Sequence, residues 1–425
     1  MPSASNYSCQ AVSNSYSVSP RTPLATPPIL PDDIARSLQS PDSGSAERLV
    51  SPSMLITDDQ VNHRLREAAS SSQPVALIAA SGLAVGSRLV PSEQVDRAFG
   101  MPVGKLRERA GIESLAYAAD SETEVTLGAQ AAYEALQSAS CSPSEIDSIV
   151  ATSETHHLYP SLAAQLHSRI GARETCAAFD VGGACLGLIN ALSVAQAQVA
   201  SGQARTVAVV TADLHSRTLV PGRVAGEFGG LFGDGASAFL VRAANADTSS
   251  GSNTSTDSST SAQSAQSSAA AKPAGLGYRI RDFLFGCADQ YADAVKVEGK
   301  PDGSLAVVFE GEALSRAAIS RLEKVVAALE KLSAVPRTAV GAFATHQPNP
   351  RLLTLLAKVA GVPVETFPPI ANTSGNLGSS TCGAALHAAL QMFRSCPHPA
   401  RKPIFLASLG PGLVFGGAWL SPSES

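Results

Sequence analysis

Two hydrophobic patterns alternate along most of the chain. Short apolar runs bounded by Gly, Pro, Asn or Asp predict strands. Longer stretches with apolar residues three and four apart predict helices. VALIAAS predicts a strand, 123–139 a helix, IDSIVATS a strand, 160–170 a helix, TCAAFDV a strand and 185–201 a helix. Two further strands, TVAVVTAD and ASAFLVRA, follow. After an interruption the pattern resumes with a helix over 311–332, the strand TAVGAFAT, helices over 351–360 and 379–394, and the strands PIFLASL and LVFGGAWL. Strands alternating with helices predict an α/β fold.

The two series also echo each other in detail. IVATSETHHLYPSLAAQLHSRIG and VGAFATHQPNPRLLTLLAKVAG share the order strand, Thr-His, Pro, helix, Gly. FDVGGACLGL lines up with IANTSGNLGS, and FGDGASAFLV with LGPGLVFGGAWL. The echo predicts a duplicated α/β unit, its two similar halves packed about a pseudo-twofold axis. Equivalent turns then approach the axis, and the turns carrying Cys185, His346 and Asn372 become candidates to converge. All three follow predicted strands, where ligands of α/β sheets gather.

Composition sets the boundaries. Residues 1–72 are rich in Ser and Pro and are expected to be a disordered extension. Residues 245–275, mostly Ser, Thr and Ala, are expected to be a linker or surface insertion between halves at 73–244 and 276–425. A net charge of −5 argues against nucleic acid as a partner. No run approaches the about 18 apolar residues of a membrane span. The seven cysteines form no CxxC pair, so reduced thiols and no metal site are expected. The first 31 residues lack acids, one mark of an import signal, but Arg21 is their only basic residue. A cytoplasmic location is the expectation.

Cys185 stands behind Gly182 and Gly183 at the start of a helix that is apolar nearly all round. Two readings are open: a small apolar core residue, or a nucleophile whose thiol the helix dipole ionises, its pKa falling from about 8.5 towards about 7. His346, before QPNP, is either a structural histidine or the base or donor of a Cys–His pair. His156 takes the equivalent slot in the first half, with His157 beside it. Asn372 is either a turn residue or an amide donor aimed at an oxyanion.

Taken together, AFDVGGACLGLINALSVA, FGGLFGDGASAFLV, THQPNPRLL, NTSGNLGSS and GPGLVFGGAWL resemble the thiolase superfamily, and within it β-ketoacyl-acyl-carrier-protein synthase III (KAS III). The resemblance implies a thiolase-like fold with layers αβαβα, and a homodimer. It implies that Cys185 is acylated by a thioester and that His346 and Asn372 bind the carbonyl oxygen of a malonyl thioester. The decarboxylated malonyl unit then attacks the acyl-cysteine to give a β-ketoacyl thioester, in fatty-acid or polyketide-type biosynthesis. The Cys185 amide and the turn around Gly410 and Gly412 would form the second oxyanion site. No cofactor is implied beyond phosphopantetheine or coenzyme A thioesters as substrates. Acyl carrier protein, which is acidic, is the implied partner, and Arg107, Arg109, Arg223, Arg351 and Lys358 are candidate basic contacts.

One departure bears on the acyl donor. The family carries a tryptophan ahead of its TGI-like stretch. Here the segment reads MPVGKLRERAGI, with Lys105 near that place and Trp419 the only tryptophan. Without a stacking face, adenine loses about 1–3 kcal/mol by analogy with base–aromatic stacking, which favours a carrier-bound donor over coenzyme A. Rival readings are a same-fold acyltransferase that forms no carbon–carbon bond and a non-catalytic partner subunit. A hydroxymethylglutaryl-coenzyme A synthase-like reading asks for a glutamate base in the first half, and Glu154 is the residue nearest that place.

Overall fold

The computed structural model describes residues 74–244, 277–288, 294–300, 305–309, 311–394, 396 and 400–423. The expectations for 1–72 and 245–275 lie outside these residues. The strands, in chain order, are β1 (Ala76–Val85), β2 (Arg88–Pro91), β3 (Ser114–Tyr117), β4 (Ser148–Thr152), β5 (Ala177–Asp180), β6 (Thr206–Leu214) and β7 (Asp234–Ala243). The second series is β8 (Tyr278–Cys287), β9 (Val295–Gly299), β10 (Leu305–Phe309), β11 (Ala342–Thr345), β12 (Ile404–Gly410) and β13 (Val414–Pro422).

Nine of these strands form one sheet, in the order β11-β12-β13-β8-β1-β7-β6-β4-β5. The duplication is visible in its pairing. In the first half β1 runs antiparallel to β7, β7 antiparallel to β6, and β6 parallel to β4. In the second half β8, β13, β12 and β11 repeat that sequence of directions. The halves join where Leu77 and Ile78 of β1 meet Arg279 and Tyr278 of β8.

Three apolar clusters divide the molecule into layers. The first takes Leu188, Ile189 and Leu192 from the helix Gly187–Ala200 and Ala385, Leu386 and Leu390 from the helix Ser379–Arg394. The same cluster holds Val207 and Phe239 from one half-sheet and Ala342 and Leu406 from the other. The two half-sheets therefore face each other across a central pair of helices. A second cluster joins the outer face of the first half-sheet to the helices Glu124–Ser138 and Leu162–Ile170. A third joins the outer face of the second to the helices Gly311–Ser333 and Pro350–Ala360. The order is helix, sheet, helix, sheet, helix.

β8 lies in a stretch where the apolar pattern predicts no element. YRIRDFLFGC places Arg279, Arg281 and Asp282 inside a strand. The charges are accommodated by neighbours that pattern reading does not see: Arg279 Nε and Arg281 Nε donate to the hydroxyls of Ser423 and Ser421, at 3.4 and 3.1 Å. The helix expected over 185–201 is regular only from Gly187, and Ala184–Leu186 form a tighter 3₁₀ turn ahead of it.

Candidate active site

The turn before the helix Gly187–Ala200 is built for close approach. Gly183 has φ +141° and Ala184 φ +46°, a left-handed conformation costly for a residue with a Cβ. A Cβ on Gly187 would lie 2.3 Å from Thr152 Oγ1, so only glycine lets the helix start this close to β4. The result presents Cys185 to a cavity of about 620 Å³ while its own surface is 8% exposed. The second half reaches the same point. Ser408 of β12 donates its hydroxyl to the Cys185 carbonyl at 2.6 Å. A Cβ on Gly410 would lie 3.5 Å from the Cys185 amide nitrogen, so the two turns abut. Gly410 and Gly412 both line the cavity, with Gly412 at φ +77°.

His346 follows β11 and lines the same cavity as Cys185. Burial holds its imidazole down at about 4, so it is neutral near pH 7, and its Nδ1 is buried without a hydrogen-bond partner. Asn372 is not among the cavity-lining residues. It sits in the short turn Ala371–Ser374, which is tied to the other side: its carbonyl accepts from Glu113 N at 2.7 Å, and the Thr373 carbonyl from Ser114 Oγ at 2.8 Å. Asn376, four residues on, does line the cavity. Its Oδ1 accepts from Gly378 N at 3.0 Å and Thr381 Oγ1 at 2.9 Å. Those bonds fix which end of the carboxamide is engaged and leave its NH₂ as the donor. The convergence expected of three turns is met by Cys185, His346 and Asn376.

Two further ionisable residues, Glu154 and His215, line the wall, and buried Asp213 is bonded to the backbone of Glu154. Glu154 lines the cavity beside Cys185, and its Oε2 lies 3.4 Å from His215 Nε2. Against the upward push of burial, the His215 hydrogen bond and charge hold Glu154 below the usual carboxylate range. Against the downward push of burial, Glu154, Asp213 and Asp234 raise His215. His215 lies tilted against Phe232, with ring centroids 4.5 Å apart. Burial and the charge of Glu154 raise Asp213 to about 6, opposed by bonds from Ser379 Oγ at 2.6 Å and Ser379 N at 2.8 Å. This group changes the expectation for the thiol. Burial and the Glu154 charge push Cys185 well above its ordinary value, opposed only in part by a backbone hydrogen bond. The resting sulfur is protonated.

The cationic candidates separate. Arg223 lines the cavity and donates to the Thr218 carbonyl at 3.1 Å. Arg109 and Arg351 are exposed and outside the cavity lining, and Arg351 donates to the Glu108 carbonyl. Arg107 pairs with Glu93, and Lys105 with Glu227 at 2.5 Å. Lys358 is exposed on the helix Pro350–Ala360. His157 lines the cavity, whereas His156 Nε2 is taken by the Pro160 carbonyl at 3.1 Å.

Comparison with known proteins gives the same picture. Residues 179–259 match the family model for 3-oxoacyl-[acyl-carrier-protein (ACP)] synthase III, and residues 331–421 match the model for its C-terminal part. The β-ketoacyl-[acyl-carrier-protein] synthase III of Haemophilus ducreyi is 29% identical over 318 residues, 73% of this chain and 86% of that protein. Over these spans the chain is similar to KAS III. Solved structures agree on the thiolase-like fold. The 3-oxoacyl-[acyl-carrier-protein] synthase III from Aquifex aeolicus superposes with a TM-score of 0.67 at 23% identity, covering 81% of this chain and 99% of that one. The priming β-ketosynthase of the R1128 polyketide pathway gives 0.67 at 24% identity, covering 83% and 98%.

Within this KAS III-like site the sequence held a signal for Asn376. The internal echo, aligned without a gap, places Cys185-Leu186-Gly187 on Asn376-Leu377-Gly378. The glycines behave alike: a Cβ on Gly378 would lie 2.4 Å from His215 Cε1, as one on Gly187 would meet Thr152. The Asn-Thr-Ser-Gly composition drew attention to Asn372 instead.

Proposed function

We propose that this chain loads an acyl group from a thioester onto Cys185 and condenses it with a malonyl thioester to give a β-ketoacyl thioester and CO₂. The observation that carries this reading is that Cys185, His346 and Asn376, from both halves, line one cavity. Sulfur attacks the thioester carbon, and the carrier thiol leaves. The malonyl thioester then enters, with its carbonyl oxygen between His346 and the Asn376 NH₂. Loss of CO₂ moves negative charge onto that oxygen. Two neutral donors fixed before the reaction stabilise it without reorganising, typically about 3–4 kcal/mol each. The enolate carbon attacks the acyl-cysteine carbonyl, whose oxygen faces the Cys185 amide and the Gly410–Gly412 turn. Collapse returns the cysteine. Apolar walls from Leu219, Phe228, Val295 and Leu305 suit an acyl chain.

The donor we assign is a thioester on an acyl carrier protein. Lys105 stands where the family's stacking ring is expected, and its charge is spent on Glu227. A homodimer fits the exposure of Leu158 and Tyr159, 78% and 97% exposed beside the cavity-lining His157. Intact-mass measurement after incubation with matched acyl-carrier-protein and acyl-coenzyme A donors tests the reading. The expected result is one acyl mass on Cys185, gained faster from the carrier protein. No mass gain from any donor would leave a non-catalytic partner subunit. Equal rates from both donors would remove the carrier preference.

A further inference from the structure

We propose that Glu154 is the base that takes the Cys185 proton as the sulfur becomes acylated. The inference rests on Cys185 being the acyl acceptor, and it assigns a residue that the Cys–His–Asn chemistry above leaves unused. Glu154 is a carboxylate on the wall of the cavity that holds the reacting sulfur, its side chain 14% exposed. One oxygen, Oε2, is engaged by His215. The other, Oε1, is buried and makes no hydrogen bond of good geometry in the resting site, although carboxylate and thiol lie close enough to interact. A buried carboxylate oxygen left unpaired is unfavourable unless a proton donor arrives there. The nearby donor is the thiol.

The surrounding charges explain why a base is needed. Glu154, His215 and Asp213 form a buried cluster of two carboxylates and one imidazolium, so its net charge is negative when all are ionised. That charge and burial keep the sulfur protonated. His346 also faces the cavity, but it is assigned to the malonyl carbonyl, and the group that interacts with the thiol is Glu154. Full ionisation of the thiol by Glu154 is strongly uphill, so the transfer is concerted with bond formation. As Sγ bonds to the acyl carbon, its S–H bond breaks and the proton moves to Glu154 Oε1. The C–S bond to the carrier breaks, and the departing sulfur takes that proton. Glu154 ends as it began, and the products are acyl-Cys185 and the free carrier thiol. His215 positions the carboxylate through Oε2, and Asp213 holds the backbone of Glu154 by accepting from its N–H at 2.5 Å.

The test pairs two readouts on Glu154→Gln, which keeps the shape and removes the charge. The first is the rate of acyl-Cys185 formation from an acyl-pantetheine thioester, followed by intact mass. Loss of a general base lowers it by about 10²-fold or more. The second is the pH profile of Cys185 alkylation by iodoacetamide, which reports the thiolate alone. Removing the anionic neighbour shifts that profile to lower pH. A thiol that ionises more easily yet is acylated more slowly is the signature of a base, and a merely structural glutamate gives no such opposition. Loading at the wild-type rate overturns the proposal, as does an alkylation profile that stays in place or moves up. Should the wild-type protein itself take no acyl group, the proposed function fails, and this assignment of Glu154 fails with it.

Discussion

At the scale of single residues, the site depends on which polar groups are fixed and which are free. Asn376 has its Oδ1 held by Gly378 and Thr381 on the cavity wall, whereas Asn372 is tied to Glu113 through its backbone carbonyl and its side chain is not part of the cavity lining. Asn376→Ala is therefore expected to lower CO₂ release from a malonyl thioester by about 10²–10³-fold, the cost of one oxyanion donor. Asn372→Ala is expected to leave it within a few-fold of wild type. Comparing the two initial rates checks the assignment, and the reverse order would refute it. His346 carries a pH prediction. Its folded value of about 4 lies below the ordinary 6.5, so the imidazole stays neutral as pH falls through 6.5. Should protonation of His346 limit decarboxylation, the acid limb belongs nearer 4 than 6.5, and a rate profile of malonyl decarboxylation in the Cys185→Ala protein reads it. Much of this site was legible in the sequence. Cys185 and His346 follow strands and sit in the repeat. The upward push on the thiol was not legible, because it comes from burial and then from Glu154 and Asp213, which reach Cys185 only through the fold.

At the scale of elements, the nucleophile is placed by two contacts between neighbouring pieces of backbone. Helix Gly187–Ala200 starts against β4 because position 187 has no Cβ. Gly187→Ala is expected to destabilise the fold by about 1–3 kcal/mol, the range for overpacking, and to reduce acylation of Cys185 more than thermal stability alone explains. Denaturant unfolding and intact mass on one preparation measure both. Ser408→Ala removes the bond from β12 to the Cys185 carbonyl. It is expected to cost about 1 kcal/mol in the same unfolding experiment; an unchanged midpoint would show that the tie between halves is not a stabilising one. Elements with a clean apolar period were readable: the helix Ser379–Arg394 falls on the range its pattern predicts. β8 was not, because its arginines are satisfied by serines from the far end of the chain.

At the scale of the molecule, duplication explains why a reactive centre lies between two similar halves. Equivalent turns supply unlike residues: Cys185 from one and Asn376 from the other, each followed by Leu-Gly and each pressed against a neighbour by that glycine. In the proposed chemistry one half alone carries a nucleophile with no donor pair, the other a donor pair with nothing to acylate, and the condensation belongs to their junction. Product analysis with an acyl thioester and a malonyl thioester together tests that claim most directly. The account expects a β-ketoacyl thioester and one CO₂ per turnover from the wild-type protein, and no β-ketoacyl product from Cys185→Ala. Transfer of the intact acyl group to an acceptor with no CO₂ released would contradict it.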